Sequence, residues 1–164
     1  MELNMRKFVL PFGVAMAAAV AAFGAATPAM AGEGRVELRS GLGWTDGQTA
    51  HADVGAAAGY DWSLSPTGTG PFVGVEQSVD KNLDSGENWR WTTSGRVGVR
   101  MGANKVYATG GYGYGKGPDA PMVGAGVEHG FGDRIYGKVE YRKYFNEDGV
   151  RNSNAALIGA GVRF

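Results

Sequence analysis

Only two histidines and no cysteine are available for catalysis in this 164-residue chain, so the residues that could do chemistry are quickly weighed. His51 is followed two positions later by Asp53. In an extended strand that spacing puts both side chains on one face, where a carboxylate can orient an imidazole as a general base. No serine is placed as an obvious nucleophile, and a plain hydrogen bond is the simpler role for the pair. A second group is acidic: Asp46, Asp80, Asp84, Glu87, Asp119, Glu147 and Asp148 stand in or beside loop-forming stretches, opposed by Lys81, Lys116 and Arg151. Oxygen-rich loops can bind Ca²⁺ or Mg²⁺, but the spacing of a calcium-binding loop is missing, and solvated loop charge accounts for these residues. A third group is glycine. Gly111, Gly113, Gly115, Gly124, Gly126 and Gly130 look like a phosphate cradle, yet no helix follows to supply an anion-binding N-terminus. Tight curvature and room for large neighbours explain them better. No catalytic residue, metal or cofactor is expected.

The largest charged set recurs at every second position. Arg35, Arg39, Arg90, Arg96, Arg100, Lys105, Arg134, Lys138, Arg142 and Arg163 share one face of their segments with Glu37, Asp53, Asp61, Glu76, Glu128 and Glu140. The elements that carry them are eight stretches, 33–44, 50–62, 71–80, 89–101, 105–115, 120–131, 134–145 and 154–164, separated by Gly, Asp, Asn, Ser and Pro. Within each, polar and apolar residues alternate, the pattern of a strand with two unlike faces. Val36, Leu38, Leu42 and Trp44 oppose Arg35, Glu37, Arg39, Gly41 and Gly43, and Ile135, Val139, Tyr141 and Phe145 oppose Arg134, Lys138, Glu140 and Arg142. Such a pattern cannot settle as a helix.

Alternation alone does not say which face is inside; aromatic position does. With strands running alternately up and down, Trp44, Trp89, Trp91, Tyr112, Tyr114 and Phe145 fall near one rim, and Tyr60, Trp62, Phe131 and Phe164 near the other. Two aromatic belts around a band of Val, Ala, Leu and Ile suit a bilayer and its interfaces. A ten-residue strand of about 33 Å, tilted by about 40°, rises about 25 Å, the height of the apolar band of membrane barrels. The expected fold is therefore all-β, an eight-stranded antiparallel up-and-down transmembrane β-barrel over residues 32–164. Gln77, His129 and Lys143 on the lipid side, and Phe72 and Leu157 on the lumen side, break the pattern.

The first residues differ from the rest. Arg6 and Lys7 precede an Ala-rich apolar stretch from Phe8 to Ala26, then Thr27, Pro28 and the small-x-small triplet Ala29-Met30-Ala31. That order predicts a signal peptide over 1–31, cleaved after Ala31; an uncleaved membrane helix is disfavoured by Pro11, Gly13, Gly24 and Pro28. Removing it leaves 15 acidic and 14 basic residues, a balance that argues against nucleic acid as a partner. Without cysteine there is neither a disulfide nor a lipid-modified N-terminus, so anchoring falls to the barrel itself.

Val139-Glu140-Tyr141-Arg142, a polar loop, and the terminal Leu157-Ile158-Gly159-Ala160-Gly161-Val162-Arg163-Phe164 resemble the small outer-membrane β-barrel family of opacity-type and OmpA-like surface proteins. In motif the resemblance covers about the last thirty residues. It implies the outer membrane of a Gram-negative bacterium, export with periplasmic chaperones, and Phe164 as the signal read by the barrel-insertion machinery. It also implies a porin-like relative ending at the barrel, without the peptidoglycan-binding domain of longer OmpA relatives. Lipid A acyltransferases and deacylases use the same scaffold, but neither histidine here has the serine two residues later that a deacylase histidine would have.

Eight strands enclose a lumen that side chains fill, and charges buried there must pair. An Arg–carboxylate network with Glu37, Glu76, Glu128 and Glu140 as hubs is expected. The function read from the sequence is that of a monomeric, non-enzymatic surface barrel supporting the cell envelope. It would be plugged by its charges, with acidic loops for contacts and lipid bilayer and lipopolysaccharide as surroundings. A narrow, weakly conducting pore is the alternative, and a lipid A-modifying enzyme the third reading.

Overall fold

A computed structural model describes residues 32–84, 89–116, 119–146 and 151–164. The expected signal peptide over 1–31 and the loop acids Glu87, Glu147 and Asp148 lie outside the described residues. Eight strands follow in order: β1 (Gly32–Thr45), β2 (His51–Ser63), β3 (Gly70–Asn82), β4 (Trp89–Met101), β5 (Asn104–Gly115), β6 (Ala120–Phe131), β7 (Ile135–Tyr144) and β8 (Ser153–Arg163). Each pairs antiparallel with the next, and β8 pairs with β1, so the sheet is a closed barrel. Closure leaves no unpaired edge. The last seam is finished by Phe164, whose N–H donates to the Gly34 carbonyl while the Gly34 N–H donates to its carbonyl, both at 2.9 Å.

Short turns join the strands at the end where β1 begins. Gly102 (φ 61°) and Gly132 (φ 83°) take the left-handed conformation that a side chain resists, allowing tight connections from β4 to β5 and β6 to β7. The β2–β3 connection at 64–69 is braced by hydroxyls: Ser63 Oγ donates to the Ser65 carbonyl, and Ser65 Oγ lies 3.0 Å from Thr67 Oγ1. The connections at the opposite end are longer on average, four to eight residues against two to six.

The distribution of polarity is inverted relative to a water-soluble protein. Leu38 is 75% exposed, whereas its neighbours Glu37 and Arg39 are each 4% exposed. Val97, Val123, Val139 and Ile158 point outward in the same way. The interior is charged, and its apolar components are few, among them Phe72, Tyr107, Tyr136, Tyr144 and Leu157. A barrel with an apolar outer band satisfies its backbone internally while facing hydrocarbon.

Candidate functional site

The lumen contains two regions. From its middle to the end where β1 begins it is packed with paired charges. Glu76 on β3 is the central hub: it accepts from Arg35 Nη1 at 2.7 Å, Arg142 Nη2 at 2.6 Å and Arg39 Nη1 at 3.2 Å, with Lys138 Nζ 3.5 Å away. Glu37 is bound by Lys138 Nζ at 2.5 Å and by the Tyr136 hydroxyl at 2.8 Å. Glu140 accepts from the Tyr107 hydroxyl at 2.5 Å and is paired with Arg142. A second hub lies nearer the short turns. Asp61 accepts from Arg96 Nε and Lys105 Nζ, each at 2.7 Å. Glu33 holds Arg100 at 2.6 Å and Lys105 at 2.5 Å, while Arg163 lies 3.8 Å from Glu128. Arg35 joins the hubs, its Nε 3.7 Å from Asp61. A buried charge without partners would be prohibitive here, and alternation of sign around each hub is what makes the packing tolerable.

Beyond Arg39, which caps this plug with a two-pronged bond to Asp80, the lumen opens towards the long loops. A cavity of about 550 Å³ lies there, with Gly43, His51, Asp53, Asp80, Arg90, Gly115, Tyr144, Ser153, Ala155 and Leu157 among its walls. His51 Nε2 is 3.5 Å from Asp53 Oδ1. The pair faces the cavity, away from the outer apolar surface where an acyl chain would lie. Arg90 rests over the Tyr144 ring, 4.4 Å from its centroid, and the Tyr144 hydroxyl lies 3.2 Å from Thr92 Oγ1. Among the described residues no group of His, Asp or Glu is arranged to hold a metal ion.

Several residues differ from their sequence-based placement. Arg134 is exposed in the turn before β7, because that strand begins one residue later, at Ile135. Its carbonyl still accepts from the Arg163 N–H at 2.8 Å, but its side chain lies past the rim. Asp53 and Arg90 line the cavity and stand apart from the salt-bridged hubs. Asp80, counted with the loop acids, faces inward, since β3 continues two residues further than the alternation suggested. Glu33, absent from the expected lumen charges, joins the lower hub. Its parity with Arg35 and Glu37 was the available signal.

The outer surface accounts for the exceptions to alternation. Gln77 is 5% exposed although it points outward: its amide donates to the Tyr114 hydroxyl at 3.2 Å and its carbonyl accepts from Thr93 at 2.6 Å. Lys143 lies over Phe145, and His129 bonds Asn104 while meeting Phe131 edge-on. Inside, Phe72 receives the cations of Arg96 and Lys105, each 5.3 Å from its ring centre, and Leu157 lies at the cavity wall. Of the aromatics, Trp89, Trp91, Tyr112, Phe131, Phe145 and Phe164 are exposed at strand ends, Trp44, Trp62 and Tyr114 are half-buried, and Tyr60 is buried against Trp62.

The model of the family described as "Outer membrane protein beta-barrel domain" matches residues 15–164. No curated protein sequence matches the chain. Among solved structures, the attachment invasion locus protein Ail of Yersinia pestis is similar at a TM-score of 0.59 and 14% identity, over 82% of this chain and 100% of that one. Neisserial surface protein A gives 0.55 and 12%, over 80% and 95%. The N-terminal barrel domain of Pseudomonas aeruginosa OprF gives 0.50 and 13%, over 82% and 100%. At such identities these likenesses concern the fold.

Proposed function

The chain belongs to the outer membrane protein β-barrel domain family, and from that premise we propose that it is a monomeric, non-enzymatic surface barrel. Its charged plug would seal the lumen, with the short turns periplasmic and the long loops outside. The observation that carries this reading is the hub at Glu76, where one carboxylate engages Arg35, Arg39, Lys138 and Arg142 across the middle of the lumen. An ion crossing that layer must part buried pairs, each at a penalty of several kcal/mol, so the barrel contributes a wall to the envelope and little permeability. The loops, with Asp46, Asp84 and Asp119 exposed, would make outside contacts. Lys81 over Trp89 and Lys143 over Phe145 put cations at the lipid-facing rim below them, suited to the phosphates of lipopolysaccharide.

Single-channel recording of the refolded protein in a planar bilayer tests the plug. Little or no steady current is expected. A large, stable, ion-selective current would overturn the sealed barrel and favour the narrow pore. Chemistry on lipid A is disfavoured because His51 and Asp53 face the lumen. Residues 1–31 are proposed to be an export signal; intact mass of membrane-extracted protein should begin at Gly32, and a species retaining Met1 or Met5 would refute the cleavage.

A further inference from the structure

The cavity above the plug has more definition than a wide mouth requires. Its volume of about 550 Å³ falls in the range of small-molecule sites. Arg39 and Asp80 close it below, so it is a blind pocket opening towards the loops. One wall is prepared around Arg90. Tyr144, 3% exposed, packs with Ala120 and Met122 and is tied to Thr92, which fixes the ring on which the guanidinium lies. Gly113 leaves room for the stack: a Cβ there would come within 2.8 Å of the Tyr144 ring and 3.3 Å of Arg90 Cδ. Stacking covers a face of the guanidinium and leaves its in-plane N–H groups free to bind.

The charges of the pocket are unequal. Arg35, Arg39, Arg96, Arg100, Lys105, Lys138, Arg142 and Arg163 all have a carboxylate within salt-bridge distance. Among the described residues Arg90 forms no salt bridge. Lys116 and Arg151 also line the pocket. Of its two carboxylates, Asp80 is taken up by Arg39, while Asp53 has His51 beside it and also feels the Arg90 charge from beyond salt-bridge distance. We propose that this pocket binds a small oxyanion-bearing solute, a carboxylate or phosphate compound, through the in-plane N–H groups of Arg90. The sealed lumen enters only as the floor of the pocket, and the test below reads ligand contact at Arg90, separately from conductance.

The experiment is an NMR titration of the ¹⁵N-labelled mature protein in detergent micelles, with citrate, inorganic phosphate and glycerol as probes. Saturable shifts of the Arg90 Nε–Hε signal and of the Gly113 and Tyr144 amides are expected with citrate, phosphate or both, and none with glycerol. Citrate alone would assign the site to carboxylates, and phosphate alone to phosphates. Arg90→Gln should weaken binding by at least roughly tenfold, the worth of a charge-assisted hydrogen bond. Asp53→Asn, which removes the opposing carboxylate, should tighten it. If Arg90→Gln does not fold, Arg90→Lys serves, keeping the charge but losing the planar fork, and it too should bind more weakly. No saturable shift in the wild type, equal shifts with glycerol, or undiminished binding by the Arg90 variants would each overturn the proposal.

Discussion

The two halves of the lumen are built by the same strands and differ in the bulk they place inside. Towards the short turns, inward positions carry Arg35, Glu37, Asp61, Phe72, Glu76, Arg96, Lys105, Tyr107, Glu128, Tyr136 and Lys138, all nearly inaccessible, and a pocket beside Glu33, Asp61 and Phe72 there measures about 90 Å³. Towards the long loops the same faces carry Gly43, Gly113, Gly115, Ala120, Ser153 and Ala155, and about 550 Å³ remains open. A barrel of this size therefore does not dictate whether its interior is solid or hollow. Side-chain volume along each strand decides it, and charge pairing makes the solid half stable.

The sharpest test of the difference is to remove a hub. Glu76→Ala leaves four cations short of a partner, and destabilisation of about 3–5 kcal/mol in urea unfolding, or failure to refold, is expected. Glu140→Ala should follow the same course at smaller size, since Lys138 and Arg142 retain other carboxylates. Asp84→Ala in a loop should change stability by less than about 0.5 kcal/mol. Equal stability of all three would show that the charges do not hold the inner half together.

Packing offers the next contrast. Gly126 faces Tyr107, and a Cβ there would come within 2.6 Å of the ring and 3.0 Å of the Val139 carbonyl. Gly126→Val should cost about 1–3 kcal/mol by overpacking, whereas Ala155→Leu, whose added bulk enters the open cavity, should cost less than about 1 kcal/mol. Thermal unfolding of the two variants measures this, and a larger loss for Ala155→Leu would mean that the outer half is as tightly filled as the inner.

The last contrast concerns the seam. Deleting Phe164 removes two backbone hydrogen bonds to Gly34, each worth about 1 kcal/mol, while Phe164→Ala keeps both and loses only the ring. If the ring is the insertion signal, both variants should reduce assembled barrel in cells, but only the deletion should unfold more readily in vitro. Normal assembly of Phe164→Ala would refute the signal.

Much of the architecture was legible in the chain because a strand's two faces are written in adjacent residues. Alternation and turn residues located all eight strands within two residues of their ends, and exposed Leu38 beside buried Glu37 is that alternation in three dimensions. Alternation fades at strand ends, and there the pattern misleads: Asp80 reads as a loop acid but faces inward, Arg134 reads as inward but is exposed, and Glu33 reads as lying outside the charge network but joins it.

Local pattern determined the elements, their inward and outward faces and the charged character of the lumen. Closure and register decided the rest. Glu33 meets Arg100 and Lys105 across 67 and 72 positions, and Gln77 is satisfied by Tyr114 across 37, pairings to which no local period points. The division into plug and cavity is likewise tertiary. It depends on which large and small side chains from eight strands come to the same height, a sum that exists only once the sheet has closed on itself.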